Sequence, residues 1–504
     1  MKKFLLLMAM SFLTCGSYAK EQKREVPNVV IIYADDLGFG DVGAYGSIGL
    51  KTPNMDKIAN EGVRFSNAYA SSATCTPSRY SLLTGEYPWR NERAQVLQGD
   101  APLLISTTQM TLPKMMQNSG YITGVVGKWH LGMGNGNTDW NNRISPGPNE
   151  VGFDYSYVMA ATNDRVPNVF VKNGTVEDLD ESDPLEVSYK KNFEGEPTGR
   201  ENPELLKVMY SHGHDMSINN GVSRIGFQRG GKSAQWVDEE MSDIFLREAK
   251  QFIDRNQDHP FFLLYNLHQP HVPRIPHPRF AGTTGLGARG DVIAEADWCI
   301  GELLKSLERR GLMENTIIIF SSDNGPVLDD GYMDASNEKL GDHKPSGPFR
   351  GGKYSLYEAG THVPLMVMWK GNIKPKVSNA LISQVDIMAS CAALTNQEIP
   401  KSDGQNLLRT LKGETLLGRK SVVIEGLFHR VALRADDWVY IPSYKGGSKP
   451  GWGVDVETGF SSCDQLYNLN KDPQQLVNMA LKFPEKLKQM KKLLIHSVKE
   501  NTTE

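Results

Sequence analysis

The densest chemistry in this sequence lies at Cys75-Thr76-Pro77-Ser78-Arg79. Pro77 suits the first turn of a helix, so Cys75 is expected at or just before a helix N-terminus, where free N–H groups and the helix dipole favour an anion. A free cysteine is more often a small buried hydrophobe, and only its surroundings can say otherwise. Asp35-Asp36 and Asp323-Asn324 supply four oxygen-bearing side chains, a set that suits a hard cation such as Ca²⁺ or Mg²⁺ better than zinc. Either pair alone would read as a turn. Lys128 and His130 fall in one short segment, His268 in Leu267-His268-Gln269-Pro270-His271, and Lys353 in Arg350-Gly351-Gly352-Lys353-Tyr354. Lysines are normally solvated and lone histidines are usually structural, so these groups carry weight only if the fold gathers them. His271, close to Pro270 and Pro273, reads as a loop contact.

The elements needed to gather them are legible. Residues 28–34 form an apolar run suited to a strand buried on both faces of a parallel sheet, and Asp35 and Asp36 end it. A strand over 121–126 leads to Lys128 and His130, one over 261–265 to His268, and one over 316–320 to Asp323 and Asn324. Helical patterns separate them: one opens at Thr52-Pro53 and stops at Gly62, one opens at Leu112-Pro113 and stops at Gly120, one covers 238–254, and one ends near Arg310. This alternation gives an α/β fold, a large mixed and mostly parallel sheet sandwiched by helices. Ligands of such sheets bind outside the carboxyl ends of the strands, so four strand ends can converge on one site. Residues 135–235 are rich in Gly, Asn and Pro and are expected to lay long loops over it. Short strands at 422–424, 431–433 and 438–440, then a helix over 484–496, predict a smaller C-terminal α+β domain over 400–504, after a main domain of 20–399.

Cys75-Thr76-Pro77-Ser78-Arg79 with Leu82-Leu83-Thr84-Gly85, Gly127-Lys128-Trp129-His130-Leu131-Gly132 and Ser322-Asp323-Asn324-Gly325 together resemble the type I, formylglycine-dependent sulfatases of the alkaline-phosphatase-like superfamily. The likeness runs from about residue 28 to a closing segment, Leu466-Tyr467-Asn468-Leu469 and Asp472-Pro473. It implies that Cys75 is oxidised to formylglycine (3-oxoalanine) by a formylglycine-generating or anaerobic sulfatase-maturating enzyme. It also implies one Ca²⁺, with Mg²⁺ the lesser choice, on Asp35, Asp36, Asp323, Asn324 and residue 75. Lys128 and Lys353 would hold the sulfate, Arg79 would orient the aldehyde-derived group, and His130 would act as base. His268 would protonate the leaving alcohol or bind the sulfate. A thiolate attacking sulfur would leave a thiosulfate to be cleared; a hydrated aldehyde has a second hydroxyl whose deprotonation expels sulfate.

Residues 322–332 look most like bacterial exo-sulfatases acting on galactose or N-acetylgalactosamine sulfate, including 6-O-sulfates. The expected partner is a sulfated glycan, with His212, His214, Asp215, Asp329 and Asp330 as candidate sugar contacts and Trp89 or Trp236 as stacking surfaces. Thr162 and Asn163 are candidates for a further polar contact that some sulfatases contribute. Competing readings are a phosphate or phosphonate ester hydrolase of the same superfamily, and a glycan-binding relative with Cys75 unoxidised.

The 504 residues carry a formal net charge of −4, which offers no basic field for nucleic acid. Lys2 and Lys3, an apolar run over 4–13 and small residues at Ser17 and Ala19 read as a signal peptide over 1–19 and hence a secreted or periplasmic protein. Cys15 offers a poorer match to a lipoprotein site, and no later stretch is expected to span a membrane. Five cysteines show neither zinc spacing nor disulfide density, and no bridge among Cys299, Cys391 and Cys463 can be argued from their order.

Overall fold

The computed structural model describes residues 26–499; the expected leader and Cys15 lie outside them. The early strands are β1 (Asn28–Ala34), β2 (Val63–Tyr69), β3 (Ile122–Lys128), β4 (Tyr155–Met159), β5 (Phe170–Lys172) and β6 (Thr175–Val176). Within the loop-rich stretch, β7 (Glu186–Ser188), β8 (Ile218–Asn219), β9 (Val222–Ser223) and β10 (Phe227–Arg229) form two ribbons, β7 with β10 and β8 with β9. The chain then supplies β11 (Phe261–Asn266), β12 (Thr316–Ser322), β13 (Leu365–Met368) and β14 (Lys376–Ser383). The main sheet has the order β14-β2-β13-β12-β1-β11-β3-β4-β5-β6.

Its centre is parallel, β12-β1-β11-β3-β4, with antiparallel pairing at β12-β13, β13-β2, β4-β5 and β5-β6. β1 is buried along its whole length, and the two-residue period of a strand divides its side chains between two cores. Val29, Ile31 and Tyr33 pack with residues of α2 (Cys75–Thr84), α3 (Leu112–Asn118) and α6 (Asp386–Leu394). Val30, Ile32 and Ala34 pack with α1 (Pro53–Glu61), α4 (Met241–Asn256) and α5 (Gly287–Arg309). Each fully buried Val or Ile contributes about 1.5–3 kcal/mol of transfer free energy, which explains the unbroken apolar run. The register aligns the functional ends: Ala34 is level with Ser322, Tyr33 with Asn266, and Asn266 with Gly127.

β3 extends past the expected end at 126 and includes Lys128. Gly127 sits at φ 109° inside the strand, where a Cβ would come 1.8 Å from the Asn266 carbonyl oxygen, so close backbone approach is what requires glycine.

Beyond these, β15 (Ser421–Glu425), β16 (Val431–Ala435), β17 (Trp438–Ile441) and β18 (Gln465–Asn468) build an antiparallel four-stranded sheet. The closing segment at Leu466 thus furnishes a fourth strand. The helix Pro484–Lys499 packs Met490 and Leu494 with Val423, Leu433 and Tyr440. This sheet is fastened to the loop before α2, since the Ala73 N–H donates to the Glu425 carbonyl and the Glu425 N–H to that of Ser71. Cys75, Cys299, Cys391 and Cys463 are unbridged. Among the described residues, no helix is long and apolar enough to cross a membrane.

Candidate active site

Cys75 is the first residue of α2, a helix whose ten residues are all buried, and Thr74 enters it in extended conformation. The thiol faces the strand ends. Its Sγ lies 3.3 Å from Nδ1 of His130, whose Nε2 lies 2.9 Å from the Leu97 carbonyl oxygen. A carbonyl only accepts, so Nε2 carries the proton and Nδ1 presents its lone pair to residue 75. Burial, then the nearby Lys128, holds the His130 pKa well below the ordinary imidazole value. The ring is therefore a neutral base aimed at residue 75. Burial likewise raises the Cys75 thiol, so the unmodified side chain is no ready thiolate.

Beside it, Asp35, Asp36, Asp323 and Asn324 are all completely buried. Asn324 Nδ2 donates to Asp36 Oδ1 at 2.7 Å and the Asp36 N–H to Asp323 Oδ1 at 3.2 Å, so the four side chains share one small volume. Asp35 Oδ1 and Asn324 Oδ1 have no hydrogen-bond partner. Two bare oxygens beside clustered carboxylates in a solvent-free interior are costly unless a cation takes them. The cluster therefore fits a hard divalent ion. Burial raises the pKa of Asp35 well above the carboxylate range despite Lys128, and raises that of Asp36 despite Lys353. An ion at the bare oxygens would offset that tendency.

Three basic side chains face the acids. Lys128 Nζ donates to Asp35 Oδ2 at 2.6 Å. Lys353 Nζ donates to Asp36 Oδ2 at 2.9 Å and to Asp330 Oδ2 at 2.8 Å. Arg79 donates through Nε and Nη2 to Asp323 Oδ2 at 3.0 and 2.7 Å. Cys75, His271 and Lys353 line a cavity of about 350 Å³, within the size range of a small-molecule pocket. Asp36, His130 and Tyr354 all hold positive φ, at 62°, 55° and 77°. Strained backbone at three non-glycine residues of one site is the pattern of a geometry imposed by function.

A family model described as Sulfatase matches residues 27–397. The chain belongs to the sulfatase family. It is 48% identical over 477 residues to an N-acetylgalactosamine-6-O-sulfatase of Bacteroides thetaiotaomicron, covering 94% of this chain and 93% of that protein. It is 28% identical to the human N-acetylgalactosamine-6-sulfatase, covering 89% of this chain and 80% of that one. A solved structure from work on glycosaminoglycan metabolism in Bacteroides thetaiotaomicron superposes with a TM-score of 0.92 at 48% identity, over 94% of this chain and 99% of that one. This sulfatase is accordingly a sulfuric ester hydrolase.

The structure redistributes several expected residues. Its clearest correction exchanges two histidines. His268 packs against Phe245, with ring centroids 6.0 Å apart, whereas His271 lines the cavity with Cys75. Nδ1 of His271 donates to the Val272 carbonyl at 2.7 Å and lies 3.2 Å from Thr162 Oγ1, leaving Nε2 3.9 Å from Asp36 Oδ2. Sequence reasoning took the first histidine after the strand, but the turn through Gln269 and Pro270 brings the second one inward. Arg79, expected to orient the residue-75 group, has its guanidinium on Asp323, because its planar fork matches a carboxylate.

Of the candidate sugar contacts, His212, His214 and Asp330 line the cavity. Asp330 also anchors Lys353 and accepts from the Tyr354 hydroxyl. Asp215 is turned away to pair with Arg200, and Asp329 accepts from Ser211 and lines a neighbouring cavity. Trp236 is buried with Arg224 over its ring, Trp89 stacks one face on Tyr87, and neither lines the catalytic cavity. Asn163 donates to the Pro273 carbonyl and supports the His271 turn. Asp164 and Arg165, missed in the sequence, also line the cavity. Asp164 accepts from Thr162 and is 2.9 Å from His214 Nε2. The only signal for them was their place two and three residues after Thr162.

Proposed function

We propose that this sulfatase removes the 6-O-sulfate from a terminal N-acetylgalactosamine, or the closely similar galactose, of a sulfated glycan. The observation that carries this reading is the 48% identity, over nearly the whole of both chains, to a protein named an N-acetylgalactosamine-6-O-sulfatase. The cavity agrees with it: Cys75 lies at its floor and Asp164, Arg165 and His214 form a polar wall suited to hydroxyls and an amide.

In this mechanism Asp35, Asp36, Asp323 and Asn324 would hold one calcium ion, which would supply Lewis-acid and template chemistry at the sulfate. Oxidation of Cys75 by a maturating enzyme supplies an aldehyde whose hydrate has one hydroxyl to attack sulfur and another to release it. His130 takes a proton from residue 75 at the bare Nδ1 that faces it. Lys128 and Lys353 place two positive charges where the sulfate oxygens are held, and the helix N-terminus of α2 adds its dipole. The Val272 carbonyl fixes the His271 ring with Nε2 towards the ester oxygen; burial, then Lys353 and Lys128, hold its pKa well below the ordinary imidazole value, and the sulfate's negative charge works against that shift. Arg79 acts through Asp323, keeping that carboxylate ionised and aimed.

The test is sulfate release by enzyme co-produced with a maturating enzyme and shown by mass spectrometry to carry the aldehyde. N-acetylgalactosamine 6-sulfate should be cleaved at least about tenfold faster than its 4-sulfate, glucosamine 6-sulfate or the matched 6-phosphate. Equal or greater activity on any of these would overturn the specificity.

A further inference from the structure

Three large apolar side chains stand open at the rim of the catalytic cavity without any task in this chemistry. Val96, Phe428 and Trp452 are 39%, 59% and 42% exposed, and all three line that cavity. They come from three distant segments of the chain. Single exposed hydrophobes are ordinary, but several collected on one opening mark a binding surface.

Two of them are held in place by groups connected to the floor. Phe428 and His429 adopt φ of 57° and 54°, a left-handed backbone that non-glycine residues rarely hold. The loop is held in that form from both sides. Leu427 is buried against Val327, Tyr354 and Val454, while Nδ1 of His429 lies 3.1 Å from Glu425 Oε2 and Ser72 Oγ donates to Glu425 Oε1 at 3.2 Å. Trp452 stands edge-on to Tyr354 with ring centroids 5.4 Å apart, and Tyr354 donates to the same Asp330 that holds Lys353. The fold thus spends backbone strain to keep an aromatic ring exposed at the mouth of its active site.

We propose that Phe428 and Trp452, flanked by Val96, form a subsite for the sugar unit linked to the sulfated one. The occupant is a pyranose ring: its C–H face lies on an aromatic ring while its hydroxyls remain in water. The subsite is continuous with the catalytic cavity, whose volume of about 350 Å³ is at the small end for ligand pockets. One sugar fills it, so the next unit of the chain emerges at the rim. The inference rests on the sulfated-glycan reading above and makes the true substrate an oligosaccharide end.

The test compares sulfate release from N-acetylgalactosamine 6-sulfate and from a trisaccharide ending in that sugar, using aldehyde-bearing enzyme. The trisaccharide should have a kcat/KM higher by about tenfold, the equivalent of about 1.4 kcal/mol. Phe428→Ala and Trp452→Ala should each pull this ratio towards one, mainly through the trisaccharide KM, while Phe428→Tyr should restore it. A ratio near one in the unsubstituted enzyme, or one that both alanine substitutions leave intact, overturns the subsite. Release of sulfate from neither compound counts against the substrate reading instead. The rim is then decided by calorimetric titration with the same two compounds: tighter trisaccharide binding that depends on Phe428 supports it, and equal affinities overturn it.

Discussion

At the scale of single residues, the site divides into groups that touch the reacting atoms and groups that hold them. In the proposed mechanism residue 75 belongs to the first kind. With Cys75→Ser, in a host that does not convert serine to the aldehyde, one hydroxyl remains to attack sulfur and none remains to release it. Substrate should leave a stable sulfate ester on that side chain, seen as a mass gain on its peptide, with no sustained turnover. Continued multiple turnover on a serine confirmed as unmodified would refute the two-hydroxyl chemistry. His130, the proposed base, should set the pH dependence. Only its neutral form accepts a proton, and burial keeps it neutral, so the acid limb of kcat/KM should lie below the ordinary imidazole value of about 6.5. A limb at or above that value would remove His130 as the base. Asp323 serves both the cation cluster and Arg79. Asp323→Ala should lose bound calcium by elemental analysis and turnover together, and leaving Arg79 buried without its partner should cost about 3–5 kcal/mol in denaturant unfolding. Normal calcium content in that variant would remove Asp323 from the ion site. Asp35, Asp36, Asp323, Lys128 and Cys75 were legible in the sequence because each adjoins a buried strand or opens a helix; Lys353 lies in a loop and was legible only through the family resemblance of its segment. His268 and His271 were interchanged because a distance of two or five residues beyond a strand says nothing about which way a turn faces.

At the scale of elements, the parallel centre of the sheet was readable because strands covered on both faces must be apolar, as 29–34 and 317–320 are. The rim was not. Phe428 and Trp452 lie in connections without periodicity; the pairing of Glu425 with the loop before α2 brings the first to the cavity, and the contact with Tyr354 brings the second. Helix pairing was equally invisible. Asp297, on α5, accepts from the backbone N–H groups of Asn54 and Met55 at 3.0 and 2.8 Å, so one helix caps the first turn of another. Asp297→Ala should lower stability by about 1–3 kcal/mol through those unmet donors, measured by chemical denaturation. An unchanged midpoint would mean that water serves them equally well.

At the scale of the whole molecule, stability should depend on pH through Glu295 as well as through the site. Burial raises its carboxyl from 4.5 to about 7. Between those values the native state holds a proton that the unfolded chain has lost, so stability falls as pH rises from about 4.5 to about 7. Glu295→Gln should therefore be more stable than the parent at pH 8, by at most about 3 kcal/mol, with the difference vanishing near pH 4.5. A constant difference across that range would assign the effect to packing. The large architecture was predictable from alternating patterns, but not the way its two sheets share the nucleophile's loop. Ser72 reaches Glu425, 353 residues further along the chain, and that strand's backbone clamps the residues just before Cys75. During synthesis at about 5–20 residues per second, the segment around Cys75 emerges on the order of tens of seconds before the strand that closes over it. If an oxidising enzyme acts on Cys75 as proposed, the order of the chain gives it a window in time, before the last sheet docks, to reach a side chain that the finished protein keeps 1% exposed.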